Sequence, residues 1–327
     1  MFDDQKILIT GGTGSWGNEI TKQLLERYNP REIIIYSRGE FTQVQMDRLF
    51  KNSKLKFVIG DVANLDTLNT AMMGVDYVFH LAALKHVPVC ENNPWQSINT
   101  NIIGTQNVVR AAIGNKVKLV IDCSSDKACA PVNMYGLCKA IGEKLIIHGN
   151  QETNKTKFVC TRAGNVIGTR GSIIPFFRDL IERGEDVPIT DLNMTRYYMT
   201  IGEAIGLLLG AAERCLGGEI FVTKMPACRI VDMAEVMIEE LGSKSKIKEI
   251  GIRPGEKLHE YLISEYEANS TIILDDDYYV ILPQQDINGL REKYKDFKKF
   301  EGDKYSSNDK LMNKEEIREK LKQGRFI

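Results

Sequence analysis

The chain has almost no net charge, with 43 Lys and Arg against 44 Asp and Glu. Bulk charge therefore gives no support to a nucleic-acid or membrane-surface role, although it leaves room for a local basic site facing a phosphorylated ligand. The sequence also lacks any Cys-x-x-Cys pair. Its seven cysteines, among them Cys90, Cys123, Cys160 and Cys228, are scattered singly, and its histidines are not spaced as metal ligands. Reduced structural thiols are expected, and no metal. No apolar run approaches the roughly 20 residues of a membrane span. Met1–Lys6 leads into a strand without a charged-then-apolar leader. These absences, with no repeat or low-complexity stretch, predict a cytoplasmic protein with no nucleic-acid or membrane partner.

What is present is a rhythm. At 327 residues and 43% hydrophobic, the chain can bury a large core. Up to about residue 165, compact apolar runs (Lys6–Thr10, Glu32–Tyr36, Leu55–Ile59, Tyr77–Leu81, Leu119–Cys123, Phe158–Thr161) alternate with amphipathic helical patterns. The runs suit strands buried on both faces, and the alternation predicts an α/β fold with a Rossmann-type, doubly wound parallel sheet. After Asn165 the rhythm breaks into a smaller mixed α/β lobe. The division expected is residues 1–165 for cofactor binding and 166–285 for substrate, the latter able to share strands with the first. A charged tail follows over 286–327, read as a solvated appendage in preference to an assembly element.

The first strand runs into Gly11-Gly12-Thr13-Gly14-Ser15-Trp16-Gly17, with a helix behind it. Glycines at 11, 14 and 17 permit a tight turn, close approach of backbone to pyrophosphate and close helix–strand packing, and the helix N-terminus faces the phosphates. Thr13, Ser15 and Trp16 complete this candidate cofactor loop. Ser37 and Arg38 end the second strand, where an acid selects NAD and an arginine suits the 2′-phosphate of NADP. They favour NADP, with Glu40 close enough to leave NAD as the alternative. Asp61 and Val62, after the third strand, are placed either to meet the adenine edge or to cap a helix from Ala63 onward. Ala82 and Ala83 offer small side chains to the middle of the cofactor.

Ser125-Asp126-Lys127 closes the fifth strand, and Tyr135 and Lys139 lie one helical turn apart beyond it. An ammonium beside a phenol lowers the phenol's pKa, and Ser125 can orient a reacting hydroxyl. The same spacing recurs at Tyr294 and Lys298, where nothing catalytic is expected. Asp126 can act as an acid. Lys127 can act as a base if its surroundings keep it partly neutral. Together the cluster points to a sugar dehydratase that borrows a hydride and returns it.

These motifs, with Ala82–Pro88, Arg162–Gly168, Arg170-Gly171-Ser172, Pro188–Asp191, Met194–Arg196 and Arg253–Glu260, resemble the extended short-chain dehydrogenase/reductase superfamily. Within it, the chain is similar to the soluble nucleotide-sugar 4,6-dehydratases acting on UDP-N-acetylglucosamine, from the first strand to about Glu265. The resemblance implies a tightly held, recycled NADP. It implies oxidation at C4 through Tyr135 and Lys139, and water loss across C5 and C6 through Asp126 and Lys127. It places Asn165, Arg196 and Arg253 on the UDP moiety, with Glu256 in the same motif, and Lys85 and His86 near the sugar. It also implies a homo-oligomer. Tyr135 leans towards inversion at C5, because retaining relatives carry methionine there. Ser125 replaces a more usual threonine, and Cys129 and Cys138 flank the turn as expected packing thiols. Two other readings stay open: a nucleotide-sugar 4-epimerase, which has no need of Asp126 and Lys127, and a non-catalytic NADP-binding sensor, which has no need of Tyr135 and Lys139.

Overall fold

Alternate residues of the early apolar runs face opposite ways, as a pleated strand requires. Leu8, Ile34, Val78 and Val120 enter one buried apolar cluster, while Ile7, Ile33, Tyr77 and Ile121 enter another on the opposite sheet face. The runs are therefore strands covered on both sides. They are β1 (Lys6–Thr10), β2 (Glu32–Ser37), β3 (Leu55–Ile59), β4 (Tyr77–His80), β5 (Leu119–Ser125) and β6 (Lys157–Ala163). The exception is β3, whose Lys56 and Ile59 are exposed because it lies at the edge of the sheet. The structure, a computed structural model, describes residues 1–168 and 173–327. The Arg170-Gly171-Ser172 motif thus lies outside the described residues.

Among the described residues the main sheet has nine strands. Their order is Thr271–Ile273, Tyr278–Ile281, Ile220–Thr223, β6, β5, β4, β1, β2, β3. Pairing is parallel from β3 to Ile220–Thr223 and antiparallel for the last two. The chain reverses its direction of travel across the sheet between β1 and β4. That switch point opens a crevice at the carboxyl ends of the strands.

The segment after Asn165 contributes three strands to this sheet and builds its own apolar cluster from Ile174, Phe177, Ile181, Tyr198, Met233 and Met237. The helical pattern before β5, expected from the sequence as one helix over Trp95–Ile113, is interrupted. Pro94–Ile98 and Gly104–Asn115 are joined by a wider π-helical turn at Asn99–Ile103, where Asn101 turns aside to bond both the N–H and the carbonyl of Leu84 at 2.8 Å.

The C-terminal stretch is not a solvated appendage. Tyr305–Ser306 pairs with the strand Tyr261–Ile263, and Ile317 and Leu321, four apart on the helix Lys314–Gln323, are buried in the same cluster as Met233. The charged residues between them form the helix's wet face.

Candidate active site

A single cleft of about 850 Å³ runs across the carboxyl ends of the strands. Its nucleotide end is lined by Gly11, Thr13, Gly14, Ser15, Trp16, Ser37, Arg38, Asp61, Val62, Ala82 and Ala83. Gly17 lies beneath: a Cβ there would sit 2.1 Å from the Gly12 carbonyl oxygen, so only glycine lets the first helix, Ser15–Arg27, press onto the loop. Gly14 is that helix's N-cap and brings no capping side chain, which leaves the positive end of the helix directed at the cleft. This cradle fits a dinucleotide pyrophosphate. Asp61 Oδ1 accepts from the Ala63 N–H at 2.9 Å while Oδ2 meets Arg38 Nη1 at 3.6 Å; the helix that follows, Leu65–Ala71, is capped by Asn64 and not by Asp61. Ser37 is buried, and its hydroxyl accepts from Gln43 Nε2 at 3.0 Å.

At the other end the cleft is walled by Lys85, His86, Ser125, Asp126, Lys127, Tyr135 and Asn165. The β5 carboxyl end turns directly into Asp126–Ala128, and the helix Met134–Glu152 starts against it, capped by Asn133 on the Gly136 N–H at 2.8 Å. A Cβ on Gly136 would lie 2.3 Å from the Lys127 carbonyl. This close approach sets Tyr135 beside Lys127.

Lys127 Nζ lies 2.7 Å from Asp126 Oδ2, 3.1 Å from Asn165 Oδ1 and 3.5 Å from Glu260 Oε1. Ser125 Oγ is 2.7 Å from Asp126 Oδ1. Behind Tyr135, Lys139 Nζ is held by both oxygens of buried Asp122, at 3.1 and 3.3 Å. Burial pushes the Asp126 carboxyl up, only partly offset by Lys127, which suits an acid.

Two electrostatic expectations are corrected. Burial raises the Tyr135 phenol, and Lys139 with the Ser125 hydrogen bond only partly counters it, because desolvation of the phenolate is the larger effect. Lys127 is likewise raised: burial favours its amine, but Asp126 and Glu260 together outweigh it. Lys127 alone is therefore an ammonium, and its chemistry belongs to the cluster.

Three of the residues expected on the substrate side do not line the cleft. Arg196 is buried, donating to the carbonyls of Thr195 (2.7 Å) and Leu258 (3.2 Å) and facing Glu260 at 3.6 Å. Arg253 and Glu256 share a turn in which the Arg253 N–H donates to Glu256 Oε2 at 3.2 Å. That turn is tied to the start of the helix Met134–Glu152 by Asn133 Nδ2 on the Gly255 carbonyl at 2.8 Å.

Reading single residues also missed Asp122, Glu260 and His80. An acid inside the apolar run of β5 was a visible signal for Asp122, and Glu260 ends a motif already noted. His80 is neutral, its pKa lowered to about 4 by burial, and bridges Thr10 and Thr105 at 2.7 and 3.1 Å beneath the cleft. Cys129 and Cys138 are buried with their thiols pushed up by desolvation, as packing residues should be.

Similarity places this architecture among known proteins. A sequence model described as "Polysaccharide biosynthesis protein" matches residues 7–282. A UDP-N-acetylglucosamine 4,6-dehydratase (inverting) from Campylobacter jejuni is 44% identical over 321 residues, 94% of each chain. A UDP-glucose 4-epimerase from Rickettsia canadensis is 43% identical, covering 98% of this chain and 96% of its own. The X-ray structure of Pen from Bacillus thuringiensis superposes with a TM-score of 0.90 at 38% identity, over 98% of this chain and 99% of that one. With its fold and glycine loop, the chain belongs to the polysaccharide biosynthesis protein family of the extended short-chain dehydrogenase/reductase superfamily.

Proposed function

We propose that the protein is a nucleotide-sugar 4,6-dehydratase that converts UDP-N-acetylglucosamine to a UDP-4-keto-6-deoxy-N-acetylhexosamine, with NADP as a recycled cofactor. The observation that carries this reading is the pair of buried Asp126 and part-buried Lys127 in the same cleft as Tyr135 and the glycine loop. Oxidation at C4 alone would need only Tyr135 and Lys139.

Tyr135 takes the proton of the C4 hydroxyl, with Ser125 orienting it and Lys139 behind. A bound nicotinamide supplies reversible hydride transfer, which satisfies C4 and C6 with no net redox change. Gly11–Gly17 and the first helix would hold its pyrophosphate, and Arg38 the 2′-phosphate. A ketone at C4 makes the C5 hydrogen acidic. The 2.7 Å contact lets Lys127 pass a proton to Asp126, turning an ion pair into an amine and a carboxylic acid without change in total charge. The amine accepts the C5 proton, whose electron pair becomes the C5–C6 double bond. The acid protonates the C6 oxygen, the C6–O bond breaks, and water leaves. The ion pair is then restored, and as the hydride returns to C6 the proton lost from the C4 hydroxyl is given back at C5, so that the net change is loss of one water. Asn165, Lys85 and His86 bind the substrate around this pair, with Arg196, Arg253 and Glu256 supporting the UDP side from outside the lining. Tyr135, with the similarity to an inverting relative, favours inversion at C5.

The Rickettsia relative motivates a second reading as a 4-epimerase. Incubation with UDP-N-acetylglucosamine separates the two. Loss of one water with a new methyl doublet in the proton NMR spectrum supports the dehydratase. An unchanged mass with an altered ring pattern supports the epimerase. Running the reaction in deuterated water reads the C5 outcome. Lys127→Ala should keep cofactor and UDP binding while water loss collapses; dehydration at the wild-type rate would refute the assigned base.

A further inference from the structure

Lys127 is shared between two acids. Its ammonium faces Asp126 at 2.7 Å and Glu260 at 3.5 Å, and these carboxyls are only 1% and 3% exposed. Two carboxylates on one cation in a dry site do not both stay ionised unless further positive charge is near. Here that charge is one-sided. Arg196 Nε lies 3.6 Å from Glu260 Oε1 and Lys257 Nζ 3.8 Å from Oε2. On its far side Asp126 meets only the neutral Ser125 hydroxyl, which can accept a hydrogen bond as well as donate one. Glu260 is therefore the member that keeps its negative charge. Asp126 and Lys127 are left with a proton to share.

The backbone makes Glu260 rigid. Its N–H donates to Ser307 Oγ at 3.0 Å and its carbonyl accepts from the Ser307 N–H at 2.8 Å, so the C-terminal stretch clamps it from behind. Lys257 is anchored on the Cys129 carbonyl at 2.7 Å. Glu260 itself does not line the cleft.

We propose that Glu260 is a positioning residue for water loss: its fixed carboxylate retains the proton shared by Asp126 and Lys127, so that the pair can deliver it to the departing C6 hydroxyl. This rests on the dehydratase reading. The charged or titratable groups around the trio are Arg196 from its strand, Lys257 and His259 from the loop bearing Glu260, Lys85 across the cleft, and Tyr135 and Tyr197. Glu260 raises both Asp126 and Lys127, so its removal moves both in one direction.

The test is Glu260→Gln, with Glu260→Asp beside it. The bell-shaped pH profile of kcat for water loss should move to lower pH by about one unit in E260Q, because the pair loses its proton more readily without the neighbouring charge. E260D should restore most of the shift. In ligand-free protein, infrared difference spectra should show an Asp126 protonated-carboxyl band, identified by its loss in Asp126→Asn, whose titration moves the same way in E260Q. A fall in rate with the profile and the band titration unmoved would overturn the proposal. A wild type that releases no water from a UDP-sugar would instead sink the dehydratase reading, and the infrared comparison would still decide the role of Glu260.

Discussion

Arg162 offers the sharpest test of how the candidate active-site loop is supported. It is 1% exposed at the end of β6. Its guanidinium grips Glu143 of the helix Met134–Glu152 through Nε and Nη2 at 3.0 and 2.6 Å, and Glu267 through Nη1 and Nη2 at 3.1 and 2.9 Å. Burial alone pushes Glu267 up, but Arg162 and Ser264 outweigh it and take the carboxyl from its ordinary 4.5 down to about 2. Because the folded value is depressed, the stabilisation is present above pH 4.5 and lost as pH falls towards 2. A shift of that size corresponds to about 3 kcal/mol, of which about 2 has gone by pH 3.

Arg162→Met keeps the length and removes the charge, leaving the buried Glu143 and the part-buried Glu267 carboxylates facing each other. Breaking such a pair by deleting one partner costs roughly 3–5 kcal/mol. Urea unfolding at a series of pH values between 3 and 6 reads the outcome. The gap between wild type and variant should be widest near pH 6 and narrow towards pH 3, where Glu267 of the variant protonates and its desolvation cost disappears. Glu267→Gln combined with Arg162→Met should cost less than the two single changes added together. A gap that stays constant across this range would refute the reasoning, since it would mean that the lost contact is packing and not charge.

Three further outcomes are expected. Gly17→Ala should destabilise the nucleotide loop by about 1–3 kcal/mol and weaken NADP binding, read by calorimetric titration, because the new Cβ meets fixed backbone 2.1 Å away. Arg38→Ala should weaken NADP by roughly tenfold and leave NAD almost unchanged, the low end of a charge-assisted contact because Arg38 is largely solvated; equal losses for both cofactors would remove Arg38 from the 2′-phosphate. Leu321→Ala should cost about 2–5 kcal/mol in urea unfolding, since the side chain is buried in the cluster of the smaller lobe; an unchanged midpoint would return the C-terminal helix to the role of appendage.

The strands of the first half were legible because a strand covered on both faces must be apolar throughout, and Leu8, Ile34, Val78 and Val120 leave no other reading. The C-terminal stretch was not. Its apolar positions are sparse, and Ile317 and Leu321 stand in a run of lysines and glutamates whose bulk composition describes only the outward face. The glycine loop, Tyr135 with Lys139, and Asp126 with Lys127 could be named from spacing and from their position after strands. Their protonation could not, because it depends on Asp122, which spacing does not single out, and on Glu260, which is remote in sequence and delivered by a different part of the fold.

Lys127 in the cleft wall and Lys139 behind Tyr135 show why partners outweigh spacing. Lys139 has a dedicated buried counter-ion in Asp122, and although Lys139 still draws the Tyr135 phenol down, burial outweighs it. The phenol keeps its proton until further positive charge arrives beside it. Lys127 has no dedicated counter-ion. It divides itself between Asp126 and Glu260, and a cation with two anions can release a proton to one while the other holds it in place. The first arrangement favours a fixed charge and the second a movable proton. On the proposed dehydratase reading, one hydroxyl is held for oxidation and another expelled as water, which calls for one of each; the fixed charge comes from a buried acid, Asp122, placed in β5 beneath the helix that carries Tyr135.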